Sequence, residues 1–89
     1  MVYLLHFSSP YRHARHYVGY ASGEEEFARR LREHRAGSGA RLMQVVKEAG
    51  ITFEVARVWP DAGRDFERYL KTRHKRVRAL CPLCRAEGR

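Results

Sequence analysis

Eighty-nine residues, 44% of them apolar, are enough for one domain with one modest core and not for two. Eighteen Lys and Arg against ten Asp and Glu leave a formal net charge of +8, which favours a polyanionic partner, most often nucleic acid, over a merely soluble basic surface. The longest apolar run, Val2-Tyr3-Leu4-Leu5, is far too short to span a bilayer, and no signal-peptide pattern precedes it, so the expectation is a cytoplasmic protein without a membrane partner.

The first element, residues 2–7, is apolar and rich in β-branched and aromatic side chains, which predicts a strand buried on both faces. His6 is its one polar side chain and reads as a hydrogen-bonded core histidine. Ser8 to Ala14, with Ser-Ser-Pro and little apolar content, reads as a loop. Residues 15–20 resume a strand, in which Gly19 permits close approach of backbone or ligand. These two segments predict a hairpin with a long loop.

Ser22 followed three residues later by Glu25 has the form of a capping box, and Glu24, Glu25 and Glu26 suit the positive end of a helix running from Glu24 to Arg35. Phe27, Ala28 and Leu31 form its apolar stripe. Arg30 and His34, four apart, stack on one face at the margin of that stripe. Gly37 and Gly39 end the helix. A second helix, about residues 40–49, buries Leu42, Met43, Val46 and Ala49 and stops at Gly50. Residues 51–59 predict a third strand with Phe53, Val55 and Trp59 on one face, closed by Pro60. A third helix, about residues 62–76, turns Phe66, Tyr69, Leu70 and Val77 inward, with Glu67 flanking the stripe and His74 near it.

The expected fold class is therefore α+β, a small three-stranded antiparallel sheet flanked by three helices in the order β-β-α-α-β-α. Residues 1–80 form the domain, and residues 81–89 a short, basic, loosely held tail containing the CxxC. From Arg64 to Arg89 there are nine Lys and Arg against three Asp and Glu, so about six of the eight excess charges fall in the last third. Arg68, Lys71, Arg73, Lys75, Arg76 and Arg78 are the candidate nucleic-acid contacts, since phosphate contacts ask only for cations.

Hydrolysis of a phosphodiester needs charge stabilisation on the phosphoryl oxygens, an activated water and help for the leaving oxygen. An arginine fork matches a phosphate, a divalent cation polarises it, and a carboxylate tethers Mg²⁺ or Mn²⁺. Arg30 and Glu67 answer the first and last needs, and Tyr3, Tyr17 and His34 are the candidate bases. Each residue alone has an ordinary structural reading: a core tyrosine, a solvated arginine, a Glu67–Lys71 ion pair along a helix.

Taken in order, these residues resemble the GIY-YIG nuclease family, in particular the small N-terminal catalytic domain of excision-repair nucleases. Val2-Tyr3-Leu4 stands where the first tripeptide would, and Tyr17-Val18-Gly19 where the second would. Arg30-Leu31-Arg32-Glu33-His34 is similar to the family's helix motif, and Phe66-Glu67-Arg68-Tyr69-Leu70-Lys71 to the segment with its metal-binding glutamate. The resemblance covers nearly the whole chain. It implies a metal-dependent endonuclease of DNA, with a repair role. Tyr3 and Tyr17 would line the pocket, one of them or His34 helping to deprotonate water; Arg30 would brace the phosphoryl group, and Glu67 would hold a single Mg²⁺ or Mn²⁺. The chain departs from the pattern in having Met1 where the first glycine would be, Tyr20 where some members have lysine, and no asparagine anywhere. The alternative on the same fold is a nucleic-acid-binding module that cuts weakly or not at all.

Cys81 and Cys84, as C-P-L-C, make no disulfide framework and fit a reducing compartment. One CxxC offers two ligands where a structural zinc site takes four. Zinc is therefore not expected there. His74 is a candidate third ligand, with a second chain completing the set, but a pair of reduced thiols is the preferred reading.

Overall fold

The central strand is the most apolar stretch of the chain. β1 (Val2–Tyr11) lies between β2 (Ala14–Tyr20) and β3 (Phe53–Trp59), both antiparallel to it, in the sheet order β2-β1-β3. The computed structural model of the protein describes residues 1–87. The fold class and element order are those expected: an α+β domain with a three-stranded antiparallel sheet.

The sheet has a core on each face, because β1 alternates between them. Val2 and Leu4 join Val18, Leu70, Val77 and Cys81 on one side. Tyr3, Leu5 and Phe7 join Ala21, Met43 and Val46 on the other. The second face is covered by α1 (Glu24–Arg35) and α2 (Arg41–Glu48), whose Phe27, Leu31 and Leu42 pack there. The first face is covered by α3 (Arg64–Lys71), α4 (His74–Leu80) and α5 (Pro82–Glu87), with Phe66, Leu80 and Leu83 packed on it.

Several local expectations change. The predicted loop from Ser8 is strand as far as Tyr11. Ser8 exchanges hydrogen bonds with Thr52, N–H to carbonyl at 2.8 Å and Oγ from the Thr52 N–H at 3.1 Å. The hairpin then closes in two residues, with Arg12 at φ 56° taking the left-handed position that glycine would signal. Phe53, Val55 and Trp59 do not share a face. Leu4 pairs with Arg57 and Leu5 with Val55, so β3 carries one extra residue at Ala56 and its alternation reverses there. Phe53 packs with the α1/α2 core and Trp59 with the opposite one, while Val55 is exposed.

The first helix is capped one residue later than expected. Gly23 is its N-cap, and Glu26 rather than Glu25 reaches back to accept the Ser22 N–H. Gly37 (φ 78°) closes α1, its N–H donating to the His34 carbonyl at 3.0 Å. Ala28 and Ala49 are exposed rather than buried, and so is Tyr69, whose ring stacks on Phe66 at 6.2 Å instead of entering the core. The long third helix divides at Thr72-Arg73 into α3 and α4.

The segment expected to trail loosely beyond Leu80 is helical from Pro82 to Glu87 and packed as far as Cys84. Cys81 is fully buried, and Leu83 and Cys84 pack on the same core. Residues 88 and 89 of that predicted tail lie outside the described residues. No helix among the described residues is long and apolar enough to cross a membrane.

Candidate active site and a histidine–cysteine cluster

Tyr3 sits on the central strand opposite Gly19 of the edge strand β2. A Cβ on residue 19 would lie 2.3 Å from Tyr3 Cζ, so the ring passes over Gly19 and only glycine leaves room for it. The Tyr3 hydroxyl then meets His34 Nε2 at 3.0 Å, although the two residues are 31 apart in sequence. Tyr17 closes the group: its ring lies 4.9 Å from the His34 ring and 6.3 Å from that of Tyr3. Phe27 backs Tyr3 at 5.0 Å.

Arg30, one helical turn before His34, pairs with Glu26 at 3.4 Å. Its Nε and the Nδ1 of His34 are buried and have no hydrogen-bond partner among the described residues. Either tautomer of His34 leaves Nδ1 in that condition. Unpaired buried nitrogens are costly, and two on one helix face form a feature that the fold itself does not satisfy.

The electrostatics link these groups to α3. Burial chiefly raises the Tyr3 pKa, and Tyr17, Glu67 and Glu26 raise it further while Arg30 opposes them. The Tyr3 hydroxyl is therefore held protonated, in the shared field of the Arg30 guanidinium and the Glu67 carboxylate. Burial, then Arg30, holds His34 below the ordinary imidazole range, so the ring is neutral at pH 7. Glu67 is 12% exposed and engaged on its own helix, with Lys71 at 3.1 Å and Arg64 at 3.8 Å.

Tyr17 also lines a groove of about 860 Å³ between β2 and α3/α4. Of the six expected nucleic-acid contacts, Lys71, Lys75 and Arg78 line this groove, and Arg15 and His13 add to it from the hairpin. The other three point elsewhere. Arg68 pairs with Asp65, Arg73 lies over the Tyr69 ring at 5.3 Å, and Arg76 bonds the Tyr69 hydroxyl, lowering its pKa. Helical geometry explains the division: with Val77 turned into the core, residues 75 and 78 flank one side of α4 and 73 and 76 the other.

A second polar group lies on the other face of the sheet. His6 and His16 are cross-strand partners, and Cys81 and Cys84 come to them from the start of α5. The four ligand atoms all lie within 4.8 Å of one another. His6 Nδ1 is 3.4 Å from His16 Nε2, 3.5 Å from Cys81 Sγ and 3.6 Å from Cys84 Sγ; His16 Nε2 is 3.1 Å from Cys84 Sγ. His74, the candidate third partner of the thiols, is exposed and outside this group. The partners were hidden in the sequence because they stand 75 residues away, although a lone histidine in an apolar strand was their one visible sign. Burial first, then His6, depresses His16 to about 4. Burial first, then Cys81, pushes the Cys84 thiol up to about 11.

Among known proteins the chain matches no family model, no curated protein and no solved structure, so the functional reading rests on the geometry of these two groups.

Proposed function

We propose that the protein is a metal-dependent endonuclease acting on DNA, with the GIY-YIG type of site. The observation that carries the reading is the pair of unpartnered buried nitrogens, Arg30 Nε and His34 Nδ1, on the helix face beside the Tyr3 hydroxyl. A phosphoryl group supplies the acceptors that such nitrogens lack. The basic groove lined by Lys71, Lys75 and Arg78 shares Tyr17 with that group, and its cations offer contacts to a phosphate backbone.

In this mechanism Arg30 braces the phosphoryl oxygens as charge develops on them. Tyr3, fully buried and held protonated, is no base; it fixes the His34 ring. Proton acceptance from the attacking water falls to Tyr17, which lines the groove, while the neutral His34 ring accepts the Tyr3 hydroxyl at Nε2 and donates Nδ1–H to a phosphoryl oxygen. Glu67 would hold Mg²⁺ or Mn²⁺, which polarises the phosphoryl group and screens the leaving oxygen. A single glutamate is the least such a cation asks of a protein, because Mg²⁺ takes only one or two carboxylates and completes its shell with waters and substrate phosphates. Glu67 must release Lys71 to do so.

Plasmid nicking tests the reading. Wild type should nick in Mg²⁺ or Mn²⁺, and Glu67→Ala should bind DNA without cutting it. Equal cutting by the two removes Glu67 from the mechanism. The Glu67 ion pairs with Lys71 and Arg64 also favour a second reading, a DNA-binding module on this fold that does not cut, in which the glutamate merely ties two cations together. Binding by wild type without nicking under any divalent metal selects that second reading.

A further inference from the structure

We propose that His6, His16, Cys81 and Cys84 form a tetrahedral zinc site that fastens the C-terminal helices to the β1–β2 hairpin. A tetrahedron with Zn–N near 2.0–2.1 Å and Zn–S near 2.3 Å has N–N edges of about 3.3 Å, N–S edges of about 3.6 Å and S–S edges of about 3.8 Å. The side chains stand within about 0.5 Å of those edges wherever a single distance is given. The N–N distance is 3.4 Å, three of the four N–S distances are 3.1, 3.5 and 3.6 Å, and all the ligand atoms lie within 4.8 Å of one another. All four ligands come from this one chain, which removes the need for a second copy.

The surroundings favour a metal over a plain core cluster. The Nε2 of His6 bonds the Glu87 carboxylate at 3.1 Å, and Arg15 holds that carboxylate in turn at 3.4 Å. A carboxylate on the far nitrogen fixes the proton there and leaves Nδ1 bare and aimed at the cluster, the arrangement found behind metal-bound histidines. The Cys84 N–H points at Cys81 Sγ at 3.4 Å, so a thiolate there has a donor. Charge also balances. Two thiols lose their protons to solvent on binding, and two thiolates with two neutral imidazoles make the site neutral around Zn²⁺, which a buried position requires. The ligand set, two sulfurs and two imidazole nitrogens, selects zinc over the harder Mg²⁺ or Mn²⁺.

The consequence is mechanical. α4, which carries Lys75 and Arg78 of the groove, is anchored at one end by α3 and at the other by Cys81. Zinc would pin that second end to β1 and β2, closing a loop from residue 16 to residue 81 and holding the groove's basic wall in place.

The test is metal content and cobalt spectroscopy on the reduced full chain. Purified wild type should carry one zinc per chain, and cobalt replacing it should show the absorption of a tetrahedral site with sulfur-to-cobalt charge transfer. Cys84→Ser and His16→Ala should lose the metal, and His74→Ala should keep it. Glu87→Gln should weaken zinc affinity roughly 10- to 100-fold, the usual effect of removing the group behind a ligating histidine. The proposal is overturned if folded wild type holds no zinc and gives no tetrahedral cobalt spectrum, or if zinc binding survives Cys84→Ser and His16→Ala unchanged. Where those variants fail to fold, the wild-type cobalt titration decides, since its charge-transfer band reports sulfur ligation directly. The readout is independent of nicking, so the zinc site and the endonuclease reading can fail separately.

Discussion

The two faces of the sheet carry polar groups in opposite conditions. Tyr3 and Tyr17, on the α1/α2 face, lead to Arg30 and His34, and two nitrogens there have no partner among the described residues. On the other face His6, His16, Cys81 and Cys84 contact one another, and Glu87 holds the outermost nitrogen. Unmet hydrogen-bonding capacity is suited to a ligand that comes and goes. A closed ring of ligand atoms in a core is suited to an ion that stays. Both depend on strand alternation, since Tyr3 and His6 belong to the same strand three residues apart and therefore face opposite ways.

The contrast can be broken most forcefully at Arg30. Arg30→Ala should cut metal-dependent nicking by about 10²–10³-fold, the usual effect of losing one donor to the transition state, while leaving zinc content untouched. A fall in both would show that the faces are not independent. Next comes Gly19→Ala. Its Cβ cannot coexist with the Tyr3 ring at 2.3 Å, so the ring must shift at a cost of about 1–3 kcal/mol. A melting temperature lowered by about 4–8 °C for each kcal/mol, together with lost nicking and retained metal, is the expected result. An unchanged melting temperature would contradict the packing of Tyr3 over the edge strand.

The groove offers a smaller effect. DNA affinity should fall with salt at a log–log slope of about −0.9 per phosphate neutralised, and Lys75→Ala should flatten that slope by about one phosphate. Arg68→Ala, paired with Asp65 away from the groove, should leave it unchanged. Equal effects from the two would mean that α4 does not choose which cations meet the backbone.

The smallest effect is the pH dependence of His34. Its native pKa is depressed, by burial first and Arg30 second, below the ordinary 6.5. The unfolded chain then binds more protons than the native one below pH 6.5. The stability from keeping the ring neutral is complete above 6.5 and is lost as pH falls through the lower native value. Thermal melting from neutral to mildly acid pH should decline less steeply in His34→Gln than in wild type. Parallel curves would mean that His34 titrates like a solvated imidazole.

The chain's order of elements was legible because apolar periodicity is a local property: residues 2–7, Phe27 with Leu31, and Met43 with Val46 each declare a strand or a helix without outside help. The five candidate catalytic residues could be named for a similar reason, each having a chemistry and an element of its own. What the amino-acid order could not settle was anything that depends on parity or distance. One extra residue at Ala56 moved Trp59 to the other face of the sheet, and no composition rule marks a bulge. The break at Thr72-Arg73 and the turn into α5 brought Cys81 and Cys84 against His6 and His16. Ligand sets of this kind are assembled by strand register and by the packing of helices on a sheet. Those are long-range equilibria of the whole chain, so only the tertiary structure decides which histidines a CxxC meets.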